Sequence, residues 1–137
     1  MSDGTSLALT PVSTLVAAPV AKVAPDATLL EVADAMKAAS VGALLVSESD
    51  GAAGIVSERD IVHALAGRRD PATTTARDVS STTLVWCDTE ATIAEVAEEM
   101  MECYVRHVLV EDRGRLVGIV SARDLLGAYA SADMGVE

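Results

Sequence analysis

The segment Gly54-Ile55-Val56-Ser57-Glu58-Arg59-Asp60 returns as Gly118-Ile119-Val120-Ser121-Ala122-Arg123-Asp124, 64 positions further along. The copy runs without a gap well beyond that segment. At the same offset Thr28 aligns with Thr92, Glu31 with Glu95, Met36 with Met100 and Val41 with Val105. A fixed period of this size marks a duplicated structural unit. In a chain of 137 residues it leaves room for two units and little else. A unit of about 60 residues buries too little surface to be secure alone, so the halves are expected to fold against each other.

Within each copy the pattern reads strand, helix, strand, strand, helix. A lead-in segment and a short strand at residues 20–23 end at Pro25-Asp26. Thr28-Leu29-Leu30-Glu31 is a capping box, and Leu29, Val32, Ala33 and Met36 follow at helical spacing, which predicts a helix over 29–39. Residues 41–46 are an apolar run of strand length, Asp50-Gly51 makes a turn, and 52–56 make the returning strand. Ser57 caps a second helix with Ile61, Val62 and Leu65 as its expected buried stripe and Gly67 as its stop. The second copy repeats this grammar, with Thr92-Ile93-Ala94-Glu95 as capping box, 105–110 and 116–120 as strands and Arg113-Gly114 as turn. Ser121 then caps a last helix with Leu125, Leu126 and Tyr129 inward.

The expected fold is therefore α/β (α+β): two β-α-β-β-α repeats related by a pseudo-two-fold axis. Residues 1–11 read as a flexible N-terminus, 12–66 as the first repeat, 67–76 as a polar linker, 77–130 as the second repeat and 131–137 as a tail.

A net charge of −11 repels nucleic acid, and with no Phe and a single Trp there is little surface for base stacking. No charged segment leads into an apolar run near Met1, and no run reaches the roughly 18 apolar residues of a membrane span. The chain is expected to be cytoplasmic, with neither nucleic acid nor membrane as partner. Cys87 and Cys103 have no metal or redox spacing, and with two histidines they form no zinc pattern. They read as reduced small hydrophobes.

The repeated motif carries the chemistry. An apolar strand ends at a serine that caps a helix, and an aspartate sits three residues on, where a capping box places its acid. A helix start offers unpaired N–H groups and the positive end of a dipole, which suits phosphate. Capping alone also explains Asp60 and Asp124 without any ligand. Arg59 and Arg123 are more telling, because a cation in the first helical turn opposes the dipole. Attraction for phosphate accounts for them; a salt bridge with Glu58 or another acid is the alternative. Ser57 and Ser121 have no adjacent base, so nucleophilic catalysis finds no support. Arg106 and His107 interrupt an otherwise apolar strand where the first copy has Gly42 and Ala43, and they are expected to face a cleft or a dimer surface. His63, just past a helix start, reads as a surface or core histidine.

Both motifs match Gly-hydrophobic-x-Ser/Thr-x-x-Asp in full, and Val23-Ala24-Pro25-Asp26-Ala27-Thr28 matches the opening that goes with it. On these residues the chain resembles a tandem pair of CBS domains, the Bateman module, from about residue 13 to 129. The second opening departs from the pattern at Cys87 and Thr89. The resemblance implies a non-catalytic regulatory module that holds adenosine-containing ligands in clefts between the repeats. AMP, ADP or ATP lead, with S-adenosylmethionine and NAD as further candidates and no catalytic cofactor or metal.

Carried over residue by residue, one cleft takes Ser57, Arg59 and Asp60 with Ser80, Thr83, Val85, Val105, Arg106 and His107. The other takes Ser121, Arg123 and Asp124 with Val16, Pro19, Ala21, Val41, Gly42 and Ala43. The aspartates would hold ribose hydroxyls, the serines would face sugar or phosphate, and apolar residues would take the adenine. The resemblance further implies a homodimer whose output reaches an effector protein. A ligand-free dimerisation scaffold is the alternative.

Overall fold

The computed structural model describes residues 7–16, 20–48 and 51–134, the side chains of 132–134 excepted. They fall into two compact units, one drawn from Val20–Leu84 and the other from Met1–Pro19 with Val85–Glu137. The first unit runs β1 (Lys22–Val23), α1 (Leu29–Ala39), β2 (Ala43–Ser47), β3 (Ala52–Ser57), α2 (Glu58–Ala66) and α3 (Ala76–Val79). The second combines a 3-10 turn (Val12–Leu15) with β4 (Trp86–Asp88), α4 (Ile93–Cys103), β5 (His107–Asp112), β6 (Arg115–Ser121) and α5 (Ala122–Met134).

Each unit holds a three-stranded sheet, in the orders β1-β2-β3 and β4-β5-β6. The first pair of each is parallel and the second antiparallel. A parallel pair needs a crossover, and α1 and α4 supply it. The registers match: Leu45 faces Ile55 as Leu109 faces Ile119, with a bulge at Val46/Ser47 and again at Val110/Glu111. Three consecutive residues are buried at the centre of each middle strand, Leu44-Leu45-Val46 and Val108-Leu109-Val110, so both faces of these strands are covered. Val32, Met36, Leu44, Val46, Val56 and Ala76 make one core. Their counterparts Val96, Met100, Val108, Val110, Val120 and Val12 build the other, with Ile93 and Leu125 added.

The capping boxes form as the sequence predicts. Thr28 Oγ1 accepts the Glu31 N–H while Glu31 Oε1 accepts the Thr28 N–H, and Thr92 and Glu95 do the same. The helix 29–39 keeps its expected bounds. Ser40 and Tyr104 end α1 and α4 in the left-handed region, each with φ 56°. Arg113 and Gly114 take φ 54° and 83°, the pair of positive values a two-residue hairpin turn needs.

The period of the sequence and the compact unit do not coincide, because each repeat gives its leader to the other's sheet. Val12 is fully buried in the unit built from the second repeat, and its N–H donates to Ala91 O at 2.7 Å. Ala76, 64 residues on, is buried in the unit of the first repeat and donates to Ala27 O at 2.8 Å. Isolated bridges Pro11–Thr92 and Thr28–Thr75 repeat the exchange. Thr10 and Pro11 are thus bonded, unlike the loose terminus expected of 1–11, of which residues 1–6 lie outside the described residues. The expected linker is likewise engaged: Thr74 is buried and its carbonyl accepts the Leu29 N–H at 3.0 Å.

Some side chains depart from the sequence reading. Val62 is 64 % exposed and Leu65 46 %, and α2 packs instead through Ala64 and half-buried Ile61. On α5 Leu125 is buried and Tyr129 packs on the core, but Leu126 is 70 % exposed. Both helices carry two apolar stripes and bury one. Arg106 precedes β5 rather than sitting within it and is exposed, so no buried charge arises there. Cys103 is exposed, and only Cys87 is half-buried. The turn at Asp50 lies partly outside the described residues.

Candidate functional site

Both motifs place a serine between the end of a strand and the start of a helix. Ser57 N–H donates to Asp60 Oδ2 at 2.8 Å, Asp60 N–H donates to Ser57 Oγ at 3.3 Å, and the hydroxyl donates to Oδ2 at 3.0 Å. In the second motif Ser121 N–H reaches Asp124 Oδ2 at 2.8 Å and Asp124 N–H reaches Ser121 Oγ at 3.0 Å. Both aspartates therefore cap. One carboxylate oxygen in each is engaged, and a carboxylate has further acceptor positions for a ligand. Asp60 is half-buried and Asp124 exposed. Arg59 and Arg123 are exposed and form no ion pair among the described residues, so the salt-bridge explanation of a cation in the first turn is not realised.

The glycine three residues before each serine admits a crossing chain. A Cβ on Gly54 would lie 2.8 Å from Ser81 O and 3.0 Å from Ser80 Oγ. A Cβ on Gly118 would collide with Val16. Ser81 locks the first crossing through reciprocal bonds with Ile55, Ile55 N–H to Ser81 O at 3.0 Å and Ser81 N–H to Ile55 O at 2.9 Å. Ser81 was not singled out by the sequence, since a serine in a polar run carries no signal of its own.

Of the residues carried over to the first cleft, Ser57, Arg59, Asp60, Ser80 and Thr83 share the unit of Val20–Leu84. Val85, Val105, Arg106 and His107 belong to the other unit. For the second cleft, Ser121, Arg123, Asp124 and Val16 share a unit, while Ala21, Val41, Gly42 and Ala43 belong to the Val20–Leu84 unit and Pro19 lies outside the described residues. Ala21 and Val85 play equivalent parts, their carbonyls accepting the Leu45 and Leu109 N–H groups at 3.0 and 2.8 Å.

Beside Asp60 the first unit has an open depression of about 520 Å³. Arg59, Asp60 and His63 line it from α2, Asp78 and Val79 from α3, and Arg69 from the segment between. His63 and Arg69 are exposed, so His63 is a surface residue. Its spacing from Asp60, three residues along one helix, is the signal that places the two on one face. Arg69 Nη2 lies 4.0 Å from Asp78 Oδ2. The Thr75 N–H donates to Asp78 Oδ2 at 2.9 Å, and this bond with the Thr75 hydroxyl holds the Asp78 carboxyl below its ordinary range.

Burial pushes the Cys87 thiol up to about 11, with Asp88, Glu99 and Glu111 adding to it. Local desolvation and the Glu99 carboxylate also raise the exposed Cys103, whose Sγ lies 3.6 Å from Glu99 Oε2. Neither thiol is activated toward nucleophilic chemistry. Among the described residues no group of three or more His, Cys, Asp or Glu is placed to hold a metal ion. No helix among them is long and apolar enough to cross a membrane.

Two small sheets, each entered by a crossover helix and each ending in a strand–Ser–x–x–Asp helix start, define a duplicated α/β module. A family model for the CBS domain matches residues 12–67 and 76–131, and the chain belongs to the CBS-domain family. A protein of Methanopyrus kandleri is 30 % identical over 105 residues, 74 % of this chain; the chain spans only 54 % of that relative's length. Hypoxic response protein 1 of Mycobacterium tuberculosis is 37 % identical over 100 residues, 72 % of this chain and 70 % of that one. Among solved structures, a CBS domain protein from Pyrobaculum aerophilum complexed with AMP superposes with a TM-score of 0.73 at 29 % identity, covering 88 % of this chain and 98 % of that one.

Proposed function

We propose that this chain is a regulatory ligand-sensing module that binds adenosine-containing ligands, AMP, ADP or ATP foremost, at its two Ser-x-x-Asp motifs. The observation that carries the reading is the doubled helix start. In each, a capping aspartate keeps acceptor positions free and an arginine in the first turn has no ion-pair partner among the described residues. Cations placed against the helix dipole are explained by an anion that comes to meet them. The AMP complex of the Pyrobaculum relative supports the adenosine part.

In this reading Asp60 and Asp124 take ribose hydroxyls and Ser57 and Ser121 face sugar or phosphate. Val85, Val105, Arg106 and His107 join the Asp60 site, and Val16, Pro19, Ala21, Val41, Gly42 and Ala43 the Asp124 site, on the strength of the family resemblance. The module is a cytoplasmic homodimer without catalytic activity. Its ligand acts by differential affinity for two states of the assembly or of an effector protein.

A thermal-shift panel of AMP, ADP, ATP, S-adenosylmethionine and NAD tests the reading. A ligand at 100 times its dissociation constant adds about 2.7 kcal/mol of stability. Asp60→Asn and Asp124→Asn each remove one site's share, while the amide oxygen still accepts the cap N–H and the fold persists. Flat melting curves across the panel would leave the ligand-free scaffold in its place.

A further inference from the structure

The depression beside Asp60 gathers three basic side chains in a chain with 10 Lys and Arg against 21 Asp and Glu. Arg59 and His63 form no hydrogen bond or ion pair among the described residues, and the ion pair of Arg69 is the 4.0 Å approach to Asp78. Each of the two acids of the depression also caps a helix start, Asp60 accepting the Ser57 N–H at 2.8 Å and Asp78 the Thr75 N–H at 2.9 Å. Arg59 and His63 are four residues apart on α2 and so share a face.

Favourable placement along the helix dipole does not account for the set. His63 lies in the last turn of α2, where a cation suits the dipole, but Arg59 lies in the first, where it does not. The second repeat also lacks the arrangement. The positions 64 residues beyond His63 and Arg69 are Gly127 and Asp133, a lost donor and a reversed charge. The two motifs are alike at Ser, Arg and Asp and differ along the path leading away from them.

We propose that the Arg59–His63–Arg69 depression receives the phosphate chain of an adenine nucleotide beyond its first phosphate, so that the Asp60 motif is a di- or triphosphate site and the Asp124 motif is not. The inference rests on the adenosine reading above. It assigns Arg69 and His63 as specificity residues, with the ribose at Asp60 and the outer phosphates running along α2 toward its C-terminal end. A volume of about 520 Å³ lies within the range of small-molecule sites. The guanidinium fork of Arg69 suits paired contacts to phosphate oxygens, and His63 adds a ring N–H.

Isothermal titration of the full chain with AMP, ADP, ATP and pyrophosphate tests this. One of two sites should prefer ATP to AMP, and Arg69→Ala and His63→Ala should each reduce that preference by about fivefold to tenfold. Arg69→Lys should restore part of it. Both side chains are exposed, and a melting curve confirms that the variants fold. If AMP binds and the ATP-to-AMP ratio is unchanged in both variants, the phosphate path is overturned while the adenosine reading stands. If pyrophosphate binds, depends on Arg69, and no nucleotide is taken up, the nucleotide assignment fails and an inorganic anion site remains. Failure of all four ligands overturns both.

Discussion

The Glu58 carboxylate lies over Gly42, its Oε1 2.9 Å from the point where a Cβ on that glycine would sit. The equivalent pair in the second repeat is Ala122 and Arg106, so the large charged residue and the small one have changed places and the charge has reversed sign. The backbone link beneath is kept, Glu58 N–H to Gly42 O at 2.9 Å and Ala122 N–H to Arg106 O at 2.8 Å. The duplicated frame is thus preserved while the electrostatics next to each helix start diverge.

Two glycines with similar crowding should respond differently to alanine. At Gly42 the obstruction is the far end of a flexible Glu58 side chain, so Gly42→Ala should change stability by no more than about 0.5 kcal/mol. At Gly54 the obstruction is the backbone carbonyl of Ser81, held by two bonds to Ile55. Gly54→Ala should cost about 1–3 kcal/mol. Urea midpoints of the two variants make the comparison, and equal shifts would contradict the crossing at Ser81.

Tyr104 holds φ 56° at the end of α4 and is 94 % exposed. A bulky residue in the left-handed region is strained, and this side chain contributes little packing in return. Tyr104→Gly should raise stability by about 0.5–1 kcal/mol, read as a higher urea midpoint.

The Cys87 thiol gives an alkaline signature. Its ordinary value is 9.0 and its folded value about 11. Between them the unfolded chain loses the thiol proton and the folded chain keeps it, so stability falls as pH rises through that window and the contribution is constant below it. Cys87→Ala should flatten that decline. Urea melts at several pH values across the window measure it.

Val62 and Leu65 on α2, and Leu126 on α5, leave apolar side chains exposed on each unit. If the chain is a homodimer through these side chains, Val62→Asp and Leu126→Asp should convert it to monomer in sedimentation velocity. Monomer stability should move by no more than about 0.5 kcal/mol. A wild-type chain that sediments as a monomer at high concentration disposes of the interface.

What the sequence revealed was whatever local chemistry decides. Thr28 with Glu31 and Thr92 with Glu95 mark helix starts by bonds within four residues, and α1 begins and ends where the pattern put it. The Arg113-Gly114 turn is equally local. Ile61 was legible as a packed position, but the burial of Ala64 in place of Val62 and Leu65 was hidden, because either stripe of α2 satisfies helical spacing. The exchange of leaders was hidden for another reason: a period reports which residues were duplicated together, not which they touch. Of the candidate site, the Ser-x-x-Asp cores were readable twice over, whereas Arg69, His63 and Asp78 are drawn from three segments that only the fold assembles.

The exchanged leaders also set an order of completion as the chain leaves the ribosome. The unit of Val20–Leu84 is continuous, and its covering residues Ala76 to Ser81 emerge directly after the sheet they close. The partner sheet is finished only with β6, yet the piece that seals it, Val12 to Val16, precedes all three of its strands in the chain. Until β6 has emerged that apolar arm has no finished sheet to dock on, so it stays unprotected for longer than the residues that seal the first unit.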